Sequence, residues 1–205
     1  QFILINNTKP LPKSLIYELL PTVTDLPDRL SSRSIAATLV ERLNYEEGSS
    51  LHNLIKMHTN PAGIIQDTVV QRFIMLSLSD GVMRELSVGD NGLDRCYSIA
   101  NSFFKAVSKT FPDEWHGKTP KTSRLVHSAG IIAMGYVMEH LHCTTGALKS
   151  SEFIEGLNVL KGKTAWTQGY WEFSSDSRRP WNAIQFVPRD YQELAHYLVR
   201  TIKNN

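Results

Sequence analysis

The segment 123–142 constrains the fold most, because its apolar residues recur three and four positions apart. This spacing predicts an amphipathic helix that buries one face against a core. Small residues on a second side would let a neighbouring element approach closely. The apolar stripe consists of Ile131, Met134, Val137, Met138 and Leu141, and the small residues are Ala129, Gly130, Ala133 and Gly135. We therefore expect this helix to pack against a core and to admit a close neighbour.

Similar periodicity predicts further helices, separated by turns rich in Gly, Pro, Asn and Asp. These helices cover residues 14–20, 35–43, 68–78, 93–110, 152–160 and 190–202, whereas the aromatic stretch 166–188 is predicted to be irregular. The predicted fold class is mainly α: one compact helical domain with a few short extended segments. With 205 residues, of which 41% are hydrophobic, the chain can bury a core without metals or disulfides.

The near-neutral charge balance is not that of a protein whose whole surface binds nucleic acid, but it allows a local basic face. Lys and Arg number 22 against 20 Asp and Glu, a net charge of +2. Cys96 and Cys143 lack the spacing of metal ligands, so we expect two reduced, buried thiols in a cytoplasmic protein. No apolar stretch approaches the roughly 20 residues of a membrane-spanning helix, and we expect no membrane partner.

Spacing assigns no catalytic residue and no metal site. His140 and His142 lie two apart, which places them on different faces of a helix and does not suit shared metal ligation. Cys143 adjoins them, but a fourth ligand at zinc spacing is missing, so we expect no metal and no cofactor in this chain. His127 has no nucleophile or carboxylate beside it in sequence, which favours a buried, hydrogen-bonded side chain over a catalytic base.

A first candidate site precedes the predicted helix 123–142. Cations and hydroxyls at a helix N-terminus are typical of phosphate binding, and the alternative is a solvated loop. The cations are Lys118, Lys121 and Arg124, and the hydroxyls belong to Thr119, Thr122 and Ser123.

A second candidate site mixes cations with aromatic side chains near the C-terminus. Such a mixture suits contacts to a nucleic-acid backbone and stacking on bases. It suits equally well a set of aromatic anchors with arginines stacked on them. The candidate nucleic-acid-binding residues are Lys161, Lys163, Arg178, Arg179 and Trp181.

Three stretches follow one another in an order and spacing shared with a known family. The first is an apolar run that leads into Ile-Asn-Asn-Thr, within residues 2–11, and the second is the small-residue helix 123–135. The third joins Trp171 to Trp-Asn-Ala-Ile-Gln at 181–185 and to the segment 189–198. In these stretches the chain resembles the C-terminal part of DGQHR-domain proteins, the DndB-like and DpdB-like components of bacterial DNA-modification islands. Phe186 departs from the Asn that the family often has there.

The resemblance implies that residues 1–22 are the tail of an upstream ParB/sulfiredoxin-like DGQHR domain and that residues 23–205 form a helical C-terminal domain. The start at Gln1, with an apolar run already under way, agrees with this expectation, and the DGQHR motif itself does not occur in the sequence. The implied function is a DNA-binding or complex-organising component of a DNA-modification or phage-defence system.

The expected partners are DNA, other DNA-modification proteins and further copies of the chain. Two alternatives remain open at this point. One is a subunit that hydrolyses ATP in support of deazaguanine modification, with ATP bound by the intact protein. The other is a non-catalytic helical interaction module.

Overall fold

The computed structural model describes residues 28–205, so the predicted helix 14–20 and the predicted domain tail 1–22 lie outside the described residues. Within the described part, the chain is mainly helical with two small two-stranded sheets. In chain order the elements are α1 (Asp28–Tyr45), β1 (Ile55–Lys56), β2 (Ile65–Gln66), α2 (Asp67–Asp80), α3 (Val82–Leu86), α4 (Gly92–Thr110), α5 (Pro112–Trp115), α6 (Ser128–Thr145), α7 (Ser150–Asn158), β3 (Tyr170–Ser174), β4 (Ser177–Pro180), a 3-10 turn (Trp181–Ala183) and α8 (Pro188–Lys203). The predicted mainly α fold class is confirmed, and no helix in this part is long and apolar enough to cross a membrane.

The long helices form where the apolar periodicity predicts them. Helix α4 matches the predicted helix 93–110 and buries residues three and four positions apart along one side. Asp94 lies in its first turn and Lys109 in its last, where each charge complements the helix dipole. Helix α8 begins at Pro188, because proline lacks the N–H that would be unsatisfied in a first turn.

The core lies between α6 and its neighbours. Helix α6 packs against α2 and α8, and α4 packs against α1 and α7. An aromatic cluster joins these layers: the ring centroids of Phe73 and Phe104 lie 5.0 Å apart, and those of Phe103 and Phe153 lie 5.2 Å apart. These separations are typical of favourable aromatic pairs, which contribute beyond their apolar area.

The helix predicted from residue 123 begins five residues later, at Ser128. The backbone N–H of Arg124 donates to the carbonyl of Trp166 at 2.7 Å, which ties this part of the chain to the segment before β3. His127 has extended backbone angles and its Nδ1 accepts from the N–H of Ala129, which makes it the N-cap. Tertiary contacts thus replace the first predicted turn.

The stretch 166–188 is more regular than predicted, because residues 170–180 form an antiparallel hairpin of β3 and β4. Trp171 and Phe173 are buried, whereas Tyr170, Glu172 and Ser174, which alternate with them, are exposed, as strand alternation requires. The rings of Trp171 and Phe173 pack edge-to-face on the ring of Tyr197 in α8, which holds the hairpin on the domain.

One of the two cysteines departs from the prediction. Cys96 is buried in α4, where burial raises the pKa of its thiol to about 11. Cys143 is exposed near the end of α6, so the prediction that both thiols are buried is wrong for this residue. Both are free thiols.

Gly130 tests the close approach at the start of α6. A Cβ on this residue would overlap the carbonyl oxygen of Arg124 and would lie 2.8 Å from that of Leu125. Helix propensity alone would make Gly130→Ala stabilising by about 1 kcal/mol. We expect destabilisation by about 2–3 kcal/mol instead, because backbone atoms cannot yield as a flexible side chain can. Urea unfolding measures the sign, and a stabilised variant would contradict the packing described here.

Candidate functional site

The two candidate sites meet at Arg124. Its Nη1 donates to the carbonyl of Pro120 and its Nη2 to that of Asn182, both at 2.6 Å. Its guanidinium carbon lies 5.7 Å from the centre of the Trp181 ring. The residue is only 8% exposed, and burial lowers the pKa of its guanidinium. Arg124 therefore holds the loop before α6 against the C-terminal segment.

This geometry changes the predicted phosphate site. Lys118 is partly buried and Lys121 is exposed, and both lie in the loop before α6. The helix N-terminus that would complete the site begins only at Ser128, behind the buried Leu125 and Val126. Arg124 has its donors directed at carbonyl groups of the protein itself. The expected combination of helix start and three cations is not assembled, and Lys118 and Lys121 remain predicted phosphate contacts on a loop.

Arg179 joins β4 to α8 through an extensive hydrogen-bond network. Its Nη1 and Nη2 donate to the two oxygens of the Asp190 carboxylate at 2.8 and 3.0 Å. Further bonds reach the Glu193 carboxylate and the carbonyl of Ala183, both at 3.0 Å. Asp190 also accepts from the backbone N–H of Gln185 at 2.8 Å. Arg179 is thus committed to contacts within the protein.

Arg178 lies on the opposite face of the same strand. Its side chain is 62% exposed, and its guanidinium carbon lies 4.1 Å from the centre of the Tyr170 ring. Tyr170 is itself 53% exposed. The Nε of Arg178 lies 3.7 Å from the exposed Glu172 carboxylate, a separation and an environment in which an ion pair contributes little. We call the surface formed by Tyr170, Glu172 and Arg178 the outer face of the hairpin.

The tryptophans act mainly as anchors. The rings of Trp166 and Trp171 are buried, with centroids 4.9 Å apart. The indole N–H of Trp171 donates to the carbonyl of Trp181 at 3.3 Å, and Trp181 is partly buried against the core. The interpretation as aromatic anchors therefore fits the buried face of this segment. The interpretation as a nucleic-acid contact fits the exposed face, where a cation lies on an aromatic ring.

Lys161 and Lys163 are exposed on the loop that follows α7. The hydroxyl of Tyr197 donates to the carbonyl of Lys163 at 2.6 Å, which places this loop beside α8. The Nζ of Lys163 donates to the side chain of Asn205 at 2.7 Å. Residues 161–205 hold seven Lys and Arg but four Asp and Glu, so positive charge is concentrated in this part of the chain.

The histidines and acidic residues do not form a metal centre in the described part of the chain. No group of three or more potential ligands occurs between residues 28 and 205. His127 is half-buried, and burial together with the nearby Arg124 lowers its pKa to about 4. A neutral ring agrees with its Nδ1 accepting the hydrogen bond that caps α6.

Sequence reasoning missed Tyr170 as a partner of Arg178, and it missed the alignment of Arg189, His196 and Arg200 along one side of α8. The first could have been found by treating residues 170–174 as an alternating strand. Comparison of the chain with protein-family models, with curated proteins and with solved structures gives no match.

Neutralising the two adjacent arginines separately tests their different roles. We expect Arg179→Ala to lower the free energy of unfolding by about 2–4 kcal/mol, because Asp190 would stay buried without its main partner. Arg178→Ala is the matched neighbour and should change it by less than about 0.5 kcal/mol. Urea unfolding gives both values, and equal losses would contradict the division of the strand into two faces.

The Asp190 carboxylate should make stability sensitive to acid. The hydrogen bond from Arg179, and that from the N–H of Gln185, hold the pKa of Asp190 below its usual 3.8. A depressed pKa contributes stability that is complete above the unfolded value and is lost as the pH falls through the folded value. We expect Asp190→Asn to be less stable than wild type at pH 7 but to lose less stability between about pH 5 and pH 2. Melting temperatures across this range measure the difference, and parallel curves would contradict it.

Proposed function

We propose that the protein is a DNA-binding component of a bacterial DNA-modification or phage-defence system, and that the outer face of the hairpin contacts the DNA. The observation that carries this proposal is the exposed Arg178 guanidinium on the exposed Tyr170 ring. Lys161 and Lys163 add two exposed cations on the loop that lies beside α8. The resemblance to DGQHR-domain proteins makes DNA the expected nucleic acid and the modification machinery the expected protein partner.

The proposed DNA binding rests physically on Arg178, whose guanidinium is exposed to a ligand and is also held in place by the Tyr170 ring. An arginine laid on an aromatic ring loses less freedom when it binds phosphate than one that moves freely in solvent. The Tyr170 ring offers a π-face on which an unpaired base can stack. Phosphate contacts of this kind bind DNA without strong sequence preference, and their strength falls as salt rises.

Arg179 is removed from the proposed DNA contacts, because its donors are used by Asp190, Glu193 and Ala183. Trp181 is proposed to support the segment rather than to stack on bases, because its ring lies against Arg124 and the core. The proposed contacts are therefore Lys161, Lys163, Tyr170 and Arg178.

The test measures the salt dependence of DNA binding by the chain 1–205. With a labelled duplex, fluorescence anisotropy gives the dissociation constant between about 50 and 200 mM salt. We expect Arg178→Ala to weaken binding several-fold and to reduce the slope of log K against log salt by about 1, because one phosphate contact is lost. Lys161→Ala should act in the same direction.

The matched control is Arg84→Ala, which removes an equal charge from the exposed surface of α3. Helix α3 packs on α2, α4 and α6 and lies outside the hairpin. Melting temperatures equal to that of the wild type establish that each variant is folded. The proposal would be contradicted if Arg178→Ala left the slope of log K against log salt unchanged. It would also be contradicted if Arg84→Ala reduced this slope by the same amount. A single-stranded probe with Tyr170→Leu then measures the stacking contribution.

A further inference from the structure

A cleft of about 560 Å³ lies between the hairpin and α8. Phe173, Ser174 and Ser177 line it from the hairpin, and Arg178 is not among the lining residues. Its polar lining includes Ser174 and Ser177 of the hairpin and Arg189, Gln192, His196 and Arg200 of α8. None of these residues belongs to the candidate sites described above.

The cations of this cleft share one side of α8. Arg189, His196 and Arg200 are spaced by seven and four positions, which aligns their side chains on one helical face. All three are exposed. A rise of 1.5 Å per residue separates Arg189 from His196 by about 10 Å and His196 from Arg200 by about 6 Å along the axis. The other side of the helix buries Leu194 and Leu198, so the orientation of the basic side is set by the core.

The arginine at the far end of this row is positioned by the hairpin. The Nη2 of Arg200 donates to the carbonyl of Phe173 at 2.6 Å. A guanidinium has further N–H donors, so this bond orients the group and leaves donors for a ligand. Ser174 and Ser177 add hydroxyl groups at the hairpin wall of the cleft.

One acidic residue, Glu193, also lines the cleft. Its carboxylate accepts from the Nη1 of Arg179 at 3.0 Å, so its charge is partly offset by a cation outside the row. Arg189 and Arg200 therefore dominate the charge of the lining. A cleft rich in cations and hydroxyl donors is suited to an anion with several oxygen acceptors.

We propose that the hairpin–α8 cleft binds a phosphoryl group, which Arg189, His196 and Arg200 contact from α8 and the hydroxyls of Ser174 and Ser177 contact from the hairpin. Arginine forks match the oxygens of phosphate. The phosphoryl group can belong to a free phosphate or to a nucleic-acid strand, as a terminal monoester or an internal diester. The inference does not depend on the outer face of the hairpin and stands if that face binds no DNA.

The experiment compares three ligands with the chain 1–205: inorganic phosphate, a short oligonucleotide with a 5′-phosphate, and the same oligonucleotide with a 5′-hydroxyl. Calorimetry gives the affinities, and amide NMR shifts at Ser177 and His196 locate the ligand. We expect the double variant Arg189→Gln, Arg200→Gln to weaken binding about tenfold or more, because two charge-assisted contacts are lost. A melting temperature equal to that of the wild type establishes that the double variant is folded, and Arg84→Gln is the matched control.

The three ligands identify the source of the phosphoryl group. Tighter binding of the 5′-phosphorylated strand indicates a terminal monoester, equal binding of both strands indicates the backbone, and binding of inorganic phosphate alone indicates a free phosphate. Each of these results supports the proposal only if two further observations accompany it. The ligand must shift the amide signals of Ser177 and His196, and the double variant must bind it more weakly. Absence of shifts at millimolar phosphate and with both oligonucleotides overturns it.

A second variant tests the charge of the cleft without removing a proposed contact. Glu193→Gln takes away the acidic group of the lining, while Arg179 keeps its two bonds to Asp190. We expect phosphate to bind about threefold more tightly, because repulsion of the anion is reduced. Unchanged or weaker binding in a variant that melts at the wild-type temperature would overturn the electrostatic basis of the site.

Discussion

The described structure depends on covering helix α6, whose apolar residues need partners on more than one side. Helix α2 and helix α8 provide this cover, and Gly130 lets the start of α6 lie against the backbone at Arg124. Removing apolar surface from water is the main driving force for this arrangement, at about 25 cal/mol per Å². Because α8 is docked in this way, the hairpin joined to it through Arg179 also has a defined place.

The period-two geometry of a strand gives two neighbouring arginines different physical roles. Arg179 faces α8, where a nearly buried Asp190 needs a cation, and Arg178 faces outward onto Tyr170. In the sequence the two residues are equivalent members of a basic pair. The proposed DNA contact and the structural contact therefore differ by one position, and a variant that removes both would confuse stability with binding. The separate substitutions avoid this difficulty.

Much of the fold could be predicted from the spacing of apolar residues. Helix α4 was predicted to within one residue at its start, because Phe103 and Phe104 belong to a long uninterrupted stripe. The start of α6 was misplaced, because apolar residues at 125 and 126 extend the pattern although the backbone at His127 is extended and the helix begins only after it. Of the candidate site, the basic and aromatic composition and the alternation of residues 170–174 could be predicted, but the pairing of β3 with β4 that sorts these residues onto two faces could not.

The sequence by itself determined the mainly helical class, the positions of the long helices and the concentration of positive charge after residue 160, since these follow from local periodicity and composition. Only the tertiary structure decided which cations remain available to a ligand. Arg124 and Arg179 donate to carbonyl and carboxylate oxygens that folding brings to them. Arg178, Arg189 and Arg200 are exposed, and Arg200 gives one of its donors to the carbonyl of Phe173. The physical reason is that a guanidinium's role depends on the acceptors that folding brings to it, and their identity is not encoded in the residues beside it.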